Sequence, residues 1–401
     1  MDEAARIKTV GPGRVFLAFL AQGLTAFGGP TAHIGYFRRD FVTRRRWLSE
    51  ADFADLLALC HFLPGPASSQ MGIAIGLRKA GVVGALAALA GFAAPASIAM
   101  LVLAELAPRI SLLYGASWMH GLKVAVAAVV LQAVVSMGRS LAAGPIRAGM
   151  AIGATAGLLV AQGPVAQIAA LIAGGALGCM VLRSLPSDPV PDGSDNGVDT
   201  QSAVIALGLF VVLLLALPIA ASFLQNPGLG LAGVFYRTGS LVFGGGHVVL
   251  PLLQREVVGR GWMGSDIFLA GYGLVQALPG PLFAFAGYVG AAQRYGPGGV
   301  FGGLIALFAI FLPGLLLVVG VLPFWDRLKR EPWAQGMAAG VGAVIVGVLA
   351  ATLWNPVLTS AVHRPADWAL VAAAFVFLQV ARLPPWLVVT GFALATGLLR
   401  V

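Results

Sequence analysis

Three stretches of the chain, each long enough to form a membrane-spanning helix, contain no charged residue: Ala203–Leu224, Gly298–Phe324 and Gly336–Trp354. A helix needs roughly 20 apolar residues to cross the hydrocarbon core of a bilayer. Charged residues make up 10% of the sequence and hydrophobic residues 59%, against roughly 25% and 45–50% in soluble domains. The sequence therefore predicts an all-α polytopic membrane protein whose immediate partner is the lipid bilayer.

The formal net charge of +9 would suggest a nucleic-acid partner in a soluble domain. In a polytopic chain, loop arginines that set membrane orientation explain such a charge better, so no nucleic-acid partner is expected. The cysteines, Cys60 and Cys179, both lie in apolar surroundings and are expected to be buried hydrophobic residues. The sequence indicates neither a metal site nor a cofactor.

The chain is a repeat of itself, as short motifs recur in the same order in both halves. Phe27–Gly29 recurs as Phe243–Gly245, and Leu63–Pro66 recurs as Leu278–Pro281. Further matches link Arg39 and Asp40 to Arg255 and Glu256, Trp47 to Trp262, Pro95 to Pro313, and Trp118 to Trp333. We therefore predict one repeat over residues 1–182, a polar linker with a linking transmembrane helix over 183–230, and a second repeat over 231–401.

Each half is predicted to contain the same series of helices, some of them discontinuous. A short apolar segment ends at a double glycine, and a segment centred on Pro-Gly-Pro follows it as either a hairpin or a broken helix. A long helix interrupted by a proline, another helix and a close-set pair complete the half. In the first half, basic residues surround the Pro-Gly-Pro segment. In the second half, Arg255, Arg260 and Arg294 flank that segment, and Arg327, Lys329 and Arg330 follow the long helix. The bias of the first half is thus lost or reversed, which predicts repeats of inverted topology.

The Pro-Gly-Pro motifs are the main candidate site. Proline removes a backbone donor and glycine permits a turn, so the helix must be interrupted there. The half-helix after the first motif opens with free N–H groups, two hydroxyls and an amide, a donor-rich surface that suits an oxyanion. The candidate residues are Pro64, Gly65, Pro66, Ser68, Ser69 and Gln70, with Pro279, Gly280 and Pro281 in the second half. The serines could instead serve only as helix caps.

The double-glycine motifs form a second candidate cluster. Glycine allows the backbone to approach a ligand or a neighbouring helix closely, and a histidine follows each motif. The residues are Gly28, Gly29 and His33 in the first half and Gly244, Gly245 and His247 in the second. Packing alone would also explain the glycines, and each histidine could be a proton-linked switch or a hydrogen-bonding residue at an interface.

Lys123 is a lone charge within the predicted helix Ser117–Gly138. Charged residues inside a membrane are functional candidates by default, so Lys123 joins the substrate-binding set. It also lies close enough to the helix end to extend its ammonium group to the membrane surface.

Taken together, these motifs resemble the long-chain, two-domain form of the chromate ion transporter family. The resemblance rests on Phe-Gly-Gly followed by His33, the arginine-rich stretch that ends at Trp47, and Leu-Pro-Gly-Pro with its polar residues. It implies a multi-pass transporter of the bacterial inner membrane that exports chromate, with sulfate as a competing substrate.

Alternating access with the oxyanion held between the two Pro-Gly-Pro breaks is the expected mechanism. A transporter of another oxyanion, such as sulfate or molybdate, and an anion channel are the alternatives. An enzyme is not expected, because the histidines, cysteines and carboxylates are scattered and form no nucleophile–base pair or metal site. The sequence leaves open the coupling ion and whether the protein is a homo-oligomer.

Overall fold

The computed structural model describes residues 10–114, 117–161, 163–182, 198–243 and 246–399. Within those ranges all regular secondary structure is helical, as the sequence predicts. Helices long and apolar enough to cross a membrane are Ala67–Ala107, Ser117–Leu141, Thr200–Phe223, Gly299–Leu328 and Pro332–Ala361. The predicted polytopic membrane fold is therefore confirmed. Gly244, Gly245 and most of the polar linker, residues 183–197, lie outside the described residues.

The two halves contain corresponding helices on either side of α8 (Thr200–Phe223). The first half has α1 (Pro12–Thr25), α2 (Gly29–Phe37), α3 (Glu50–Phe62), α4 (Ala67–Tyr114), α5 (Ser117–Leu141), α6 (Pro145–Val160) and α7 (Pro164–Val181). The second half has α9 (Pro227–Leu241), α10 (Val249–Leu253), α11 (Ser265–Gln276), α12 (Phe285–Ala292), α13 (Gly299–Val321), α14 (Trp325–Leu328), α15 (Pro332–Thr352), α16 (Thr359–Ala361), α17 (Pro365–Gln379) and α18 (Pro385–Leu399).

The first Pro-Gly-Pro motif lies at the tip of a re-entrant hairpin, which we name proline hairpin 1. Its arms are α3 and the first part of α4, residues 67–79, which ends where Ala80 and Gly81 leave helical dihedral angles. Asp52, near the start of α3, forms an ion pair of 2.8 Å with Arg78 at the end of the second arm. The arms are therefore antiparallel, and the hairpin enters and leaves on one side of the protein, which we name face 1.

The second half contains the matching proline hairpin 2, with α11 and α12 as its arms. The backbone N–H of Arg294, just after α12, donates to the carbonyl of Trp262, just before α11, at 2.9 Å. The rings of Trp262 and Tyr295 stack with centroids 4.1 Å apart. Both ends of this hairpin therefore also lie on a single side, which we name face 2.

Faces 1 and 2 are opposite sides of the protein. From face 1, residues 81–114 of α4 extend for about 50 Å at ~1.5 Å per residue, and α5 follows. Near the start of α5, Lys123 forms an ion pair of 2.9 Å with Asp266 of proline hairpin 2. The long helix α13 runs back from face 2 to Lys329, which forms an ion pair of 2.9 Å with Asp55 of proline hairpin 1. These contacts give the two repeats opposite orientations.

Each half also begins with a shorter helical hairpin, and in the first half its tip carries Gly28 and Gly29. In glycine hairpin 1, formed by α1 and α2, the amide of Gln22 donates to Asp40 at 3.1 Å, and Phe19 stacks on Phe41 with ring centroids 4.7 Å apart. In glycine hairpin 2, formed by α9 and α10, Arg237 pairs with Glu256 at 2.6 Å. The second arms, α2 and α10, continue as π-helical turns, Arg38–Arg44 and Gln254–Val258.

The prolines in the long helices do not interrupt them. Pro313 lies inside α13. In α4, the non-helical dihedral angles are at Ala80 and Gly81, and the helix continues through Pro95. Neighbouring helices can satisfy the backbone groups that such a proline leaves without a partner. The interruptions that shape this fold are therefore the hairpin tips and the turn at Gly81.

The two halves are interlocked, because each donates a long helix to the other. Helix α5 of the first half packs against α17 and α18, and α15 of the second half packs against α6 and α7. Glycines permit the close crossings: a Cβ on Gly178 would lie 2.9 Å from the Cα of Gly340. Neither half has a complete helical bundle without the other.

We expect Thr43→Cys and Arg294→Cys, each in a background without Cys60 and Cys179, to react with a membrane-impermeant maleimide from opposite sides of the membrane. Both positions are exposed, one on face 1 and the other on face 2. Ala85→Cys, at a fully buried position, is the control and should react from neither side. Reaction of both exposed cysteines from the same side would contradict the inverted arrangement.

Candidate functional site

The tips of the proline hairpins meet the glycine hairpins of the opposite half through reciprocal backbone hydrogen bonds. The N–H of Gly65 donates to the carbonyl of Val242 at 2.5 Å, and the N–H of Gly280 donates to the carbonyl of Ala26 at 3.0 Å. Val242 and Ala26 directly follow the corresponding helices α9 and α1. Four hairpin tips therefore converge between the two faces, related by an approximate two-fold axis.

Glycine is required at both contact points. Gly65 has a φ angle of 135° and Gly280 one of 102°, in the region that side chains disfavour. A Cβ on Gly65 would collide with the side-chain amide of Gln70, and one on Gly280 would lie 3.1 Å from the Cβ of Ala96. The predicted break at Pro-Gly-Pro is thus a tight turn whose amide is already paired with the other half.

The first tip carries the polar side chains that the sequence singled out. Ser68, Ser69 and Gln70 are all almost completely buried. The Gln70 amide nitrogen donates to the carbonyl of Pro64 at 2.7 Å, while its oxygen and the Ser69 hydroxyl have no hydrogen-bond partner among the described residues. Buried polar atoms normally find partners, so these two groups can bind a ligand or an ordered water.

A helix N-terminus adds further donors at the first tip. Helix α4 begins at Ala67, directly after Pro66, and its first-turn N–H groups have no acceptor within the helix. The positive end of the helix dipole at this point favours an anion. Gly314 of α13 packs against Pro66 and Gln70, so the second half supplies the opposite wall.

The second tip lacks polar side chains. After Pro279, Gly280 and Pro281, a short 3-10 helix, Leu282–Ala284, leads into α12, and all three of its residues are buried. The ring of Phe283 packs near that of Phe311, with centroids 5.8 Å apart. The polar side chains available to a ligand at the tips are therefore concentrated in the first half.

His33 lies at the tip cluster. Its Nε2 is 3.1 Å from the carbonyl of Ala26, which also accepts the Gly280 bond. Gly28 and Gly29 form the adjacent turn with φ angles of 102° and 75°. His33 Nδ1 is buried without a partner among the described residues. The histidine thus supports the contact between the halves and leaves one ring nitrogen available.

His247 has a different partner from His33. Its Nδ1 forms a hydrogen bond of 2.8 Å with the hydroxyl of Tyr272 on α11. Gln276 lies one turn further along that helix, closer to the second tip, and it is also buried. Sequence analysis did not single out Tyr272, because a tyrosine on an apolar helix gives no local signal of its partner.

Lys123 lies away from the tips, at face 2. Its ammonium group pairs with Asp266 at 2.9 Å, and its side chain is 9% exposed, against 64% for the carboxylate. The two residues come from opposite halves. Lys123 therefore connects the two halves, and its role in substrate binding remains a prediction.

Sequence reasoning missed a pair of buried carboxylates, one in each half. Asp40 and Glu256 occupy matching places in the π-helical turns, and both are buried. Asp40 accepts a hydrogen bond of 3.0 Å from Arg45, and Glu256 pairs with Arg260 at 2.7 Å. The recurrence of Arg39-Asp40 as Arg255-Glu256 was the available signal, but a charged stretch is usually a solvated loop.

Comparison with known proteins gives a family match in both halves. The family model described as "Chromate transporter" matches residues 13–179 and 229–398. The chain is 31% identical to the chromate transport protein of Pseudomonas aeruginosa over 380 residues, which cover 91% of this chain and 86% of that protein. The resemblance inferred from the motifs is confirmed.

Two further relatives match over most of their length. Identity to the chromate transport protein of Cupriavidus metallidurans is 26% over 384 residues, covering 95% of this chain and 91% of that protein. Identity to an uncharacterized transporter of Methanocaldococcus jannaschii is 27% over 352 residues, covering 84% and 82%. The comparison with solved structures found no match.

We expect Asp40→Ala to lower the free energy of unfolding by about 1–3 kcal/mol, because Gln22 and Arg45 lose their buried acceptor. Glu50→Ala is the matched control, since Glu50 pairs with Arg38 of the same π-helical turn but both side chains are mostly exposed. Its loss should be much smaller, as solvent screens exposed pairs. Denaturant titration in detergent micelles measures both, and equal losses would contradict the assigned burial.

Proposed function

The chain belongs to the chromate transporter family, and from that premise we propose that it is a secondary transporter that exports chromate across the bacterial inner membrane by alternating access. One observation carries the proposal: the tip of each of two inverted re-entrant hairpins is hydrogen-bonded to the glycine hairpin of the opposite half, in a reciprocal arrangement. Inverted repeats with discontinuous helices near the membrane midplane are typical of secondary transporters.

The charge distribution supports an orientation with face 1 in the cytoplasm. Loops on the cytoplasmic side of membrane proteins carry an excess of Lys and Arg. Face 1 has Arg38, Arg39, Arg44, Arg45, Arg46, Arg78, Lys79, Arg327, Lys329 and Arg330. Face 2 has fewer basic residues in its loops, among them Arg255, Arg260 and Arg294. Chromate would therefore enter from face 1 and leave at face 2.

The anion would bind at the first tip. Ser68, Ser69 and Gln70 offer hydroxyl and amide donors, and the N-terminus of α4 offers backbone N–H groups and a positive dipole end. A neutral donor set binds a dianion without the strong Coulomb attraction that would prevent its release. Sulfate has the same charge and tetrahedral shape and would compete.

The membrane potential favours export of a dianion from a negative-inside cell. Moving one elementary charge across it is worth about 2.3 kcal/mol per 100 mV, so a dianion gains twice that. The membrane potential would therefore contribute to export without nucleotide hydrolysis.

The two ion pairs between the halves are suited to act as gates. Lys329–Asp55 ties proline hairpin 1 to the second half at face 1, and Lys123–Asp266 ties proline hairpin 2 to the first half at face 2. Burial lowers the pKa of Lys329, but its hydrogen bonds to Asp326 and Asp55 outweigh burial and leave that pKa above its usual value. Opening one face would require breaking one pair while the other stays formed.

We expect energised uptake of radiolabelled chromate into inside-out vesicles to fall about tenfold or more in Ser68→Ala/Ser69→Ala, because hydrogen bonds to a charged ligand are each worth about 1.5–3 kcal/mol. Ser136→Ala/Ser140→Ala is the control, since it removes exposed hydroxyls from α5 and should transport normally. Excess sulfate should inhibit the wild-type protein.

Each other outcome of this assay has a defined meaning. Normal uptake by the first double variant would place the binding site elsewhere. If intact wild-type protein took up sulfate or molybdate but not chromate, the assignment of chromate as the substrate would be wrong. Conduction without counterflow of labelled anion would indicate a channel.

We expect Lys329→Gln to increase labelling of a Ser69→Cys reporter from the cytoplasmic side, and Lys123→Gln to increase it from the other side. Each substitution removes one gate, which shifts the population towards the corresponding open state. Arg327→Gln, at an exposed position near Lys329, is the control for loss of charge. If both lysine variants increased labelling from the same side, the gating assignment would be wrong.

A further inference from the structure

A cavity of about 320 Å³ lies at face 2, where both halves contribute to its wall. The first half contributes Gly163, from the loop between α6 and α7. The second half contributes Arg255 of the π-helical turn after α10, Arg260 just beyond that turn, and Asn355 after α15. At about 30 Å³ per water in the liquid, the cavity has room for a tetrahedral oxyanion with part of its hydration shell. We name it the arginine vestibule.

The two arginines are held at the wall by other contacts. Arg255 donates one N–H to the carbonyl of Gly163 at 3.0 Å, and a guanidinium has five such donors. Arg260 pairs with Glu256 at 2.7 Å and lies 5.8 Å over the ring of Trp262. These contacts fix the guanidinium groups before a ligand arrives, which lowers the entropic cost of binding.

A smaller pocket lies between the vestibule and the hairpin tips. Arg237, Thr238, Glu256 and Gln167 line it, and its volume is about 10 Å³, near the minimum for one water. Gln167 is 1% exposed, and neither atom of its side-chain amide has a hydrogen-bond partner among the described residues. An unpaired buried amide of this kind indicates a ligand-facing group.

Helix α9 connects these features to the tips. Thr238 lies one turn before Val242, whose carbonyl accepts the Gly65 bond. Donor groups therefore continue from the tips past Gln167 and Arg237 to Arg255 and Arg260. Arg237 and Arg260 both pair with a single carboxylate, Glu256, and Arg255 adds a third guanidinium group to this path, so the electrostatic potential favours an anion.

We propose that the arginine vestibule is a second oxyanion site, which binds a tetrahedral dianion through Arg255 and Arg260 after it leaves the tips. The proposed function supplies the identity of the anion, while the site itself rests on the cavity and its donors. Guanidinium groups can bind an oxyanion in a bidentate manner. Phosphate groups of anionic lipids share this chemistry, and we assign the site to the free anion because the cavity lies at the contact between the halves, with Gly163 of the first half opposite Arg255, Arg260 and Asn355 of the second.

The test is equilibrium binding of radiolabelled sulfate to the purified full-length protein in nanodiscs of neutral phosphatidylcholine. The variants are made in the Ser68→Ala/Ser69→Ala background, so that binding at the tips does not contribute. Arg255→Gln/Arg260→Gln should weaken binding about tenfold or more, since two charge-assisted donors are lost. Arg109→Gln/Arg294→Gln is the matched control, because it removes two exposed charges near face 2 outside the vestibule, and it should bind within about twofold of that background. Unchanged melting temperatures would show that the variants are folded.

Further arms separate this proposal from the proposed function. Ser68→Ala/Ser69→Ala should keep the vestibule binding even if it no longer transports chromate. Equal binding by the two arginine double variants, or loss of all sulfate binding in Ser68→Ala/Ser69→Ala itself, would overturn the vestibule and leave transport at the tips untouched. Loss of sulfate binding in nanodiscs of anionic phosphatidylglycerol would overturn it in favour of a lipid headgroup.

Discussion

The reciprocal hydrogen bonds between the hairpin tips are the constraint on which the rest of this structure depends. A hairpin that ends inside a bilayer exposes backbone groups where no water can satisfy them, at a cost of several kcal/mol each. Here the amide of Gly65 finds its acceptor on Val242, and that of Gly280 finds one on Ala26. Each tip depends on the opposite half, so the halves must be inverted and must meet in the middle.

The positions of the charged side chains also reflect the cost of burying polar groups in the membrane. At the tips the structure places neutral donors, namely the residues after Pro66 together with His33, whereas its ion pairs lie towards the two faces. The pairs of Lys123 and Lys329 connect the halves, and those of Asp40 and Glu256 lie inside the π-helical turns. Charges at the faces are partly hydrated and cost less to separate than charges at the midplane. A transporter that must break contacts in turn benefits from this distribution.

Much of the fold follows from local sequence signals. The repeat, the Pro-Gly-Pro breaks and the reversed arginine bias predict inverted halves with discontinuous helices, because each signal is a residue type at a fixed spacing. The re-entrant path of the hairpins did not follow, since a break alone fits both a hairpin and a broken span. The ion pair between Asp52 and Arg78 shows that the path is a hairpin.

The partners of Lys123 and His247 could not be predicted from the sequence, because Asp266 and Tyr272 lie in distant segments. Asp40 was missed because its burial depends on a π-helical turn that no local rule indicates.

The interlocking of the halves has a consequence for how the chain is made. Helix α5 leaves the ribosome more than 200 residues before the helices that cover it, α17 and α18. Until then its packing surface faces lipid or an insertion factor, and His120 lacks its partner Asp367, which lies 3.0 Å away in the finished protein. A separate first half would have to find a second copy inserted upside down in the same bilayer. Fusion of two copies through α8 removes that requirement, because a single crossing fixes the opposed orientations within one polypeptide.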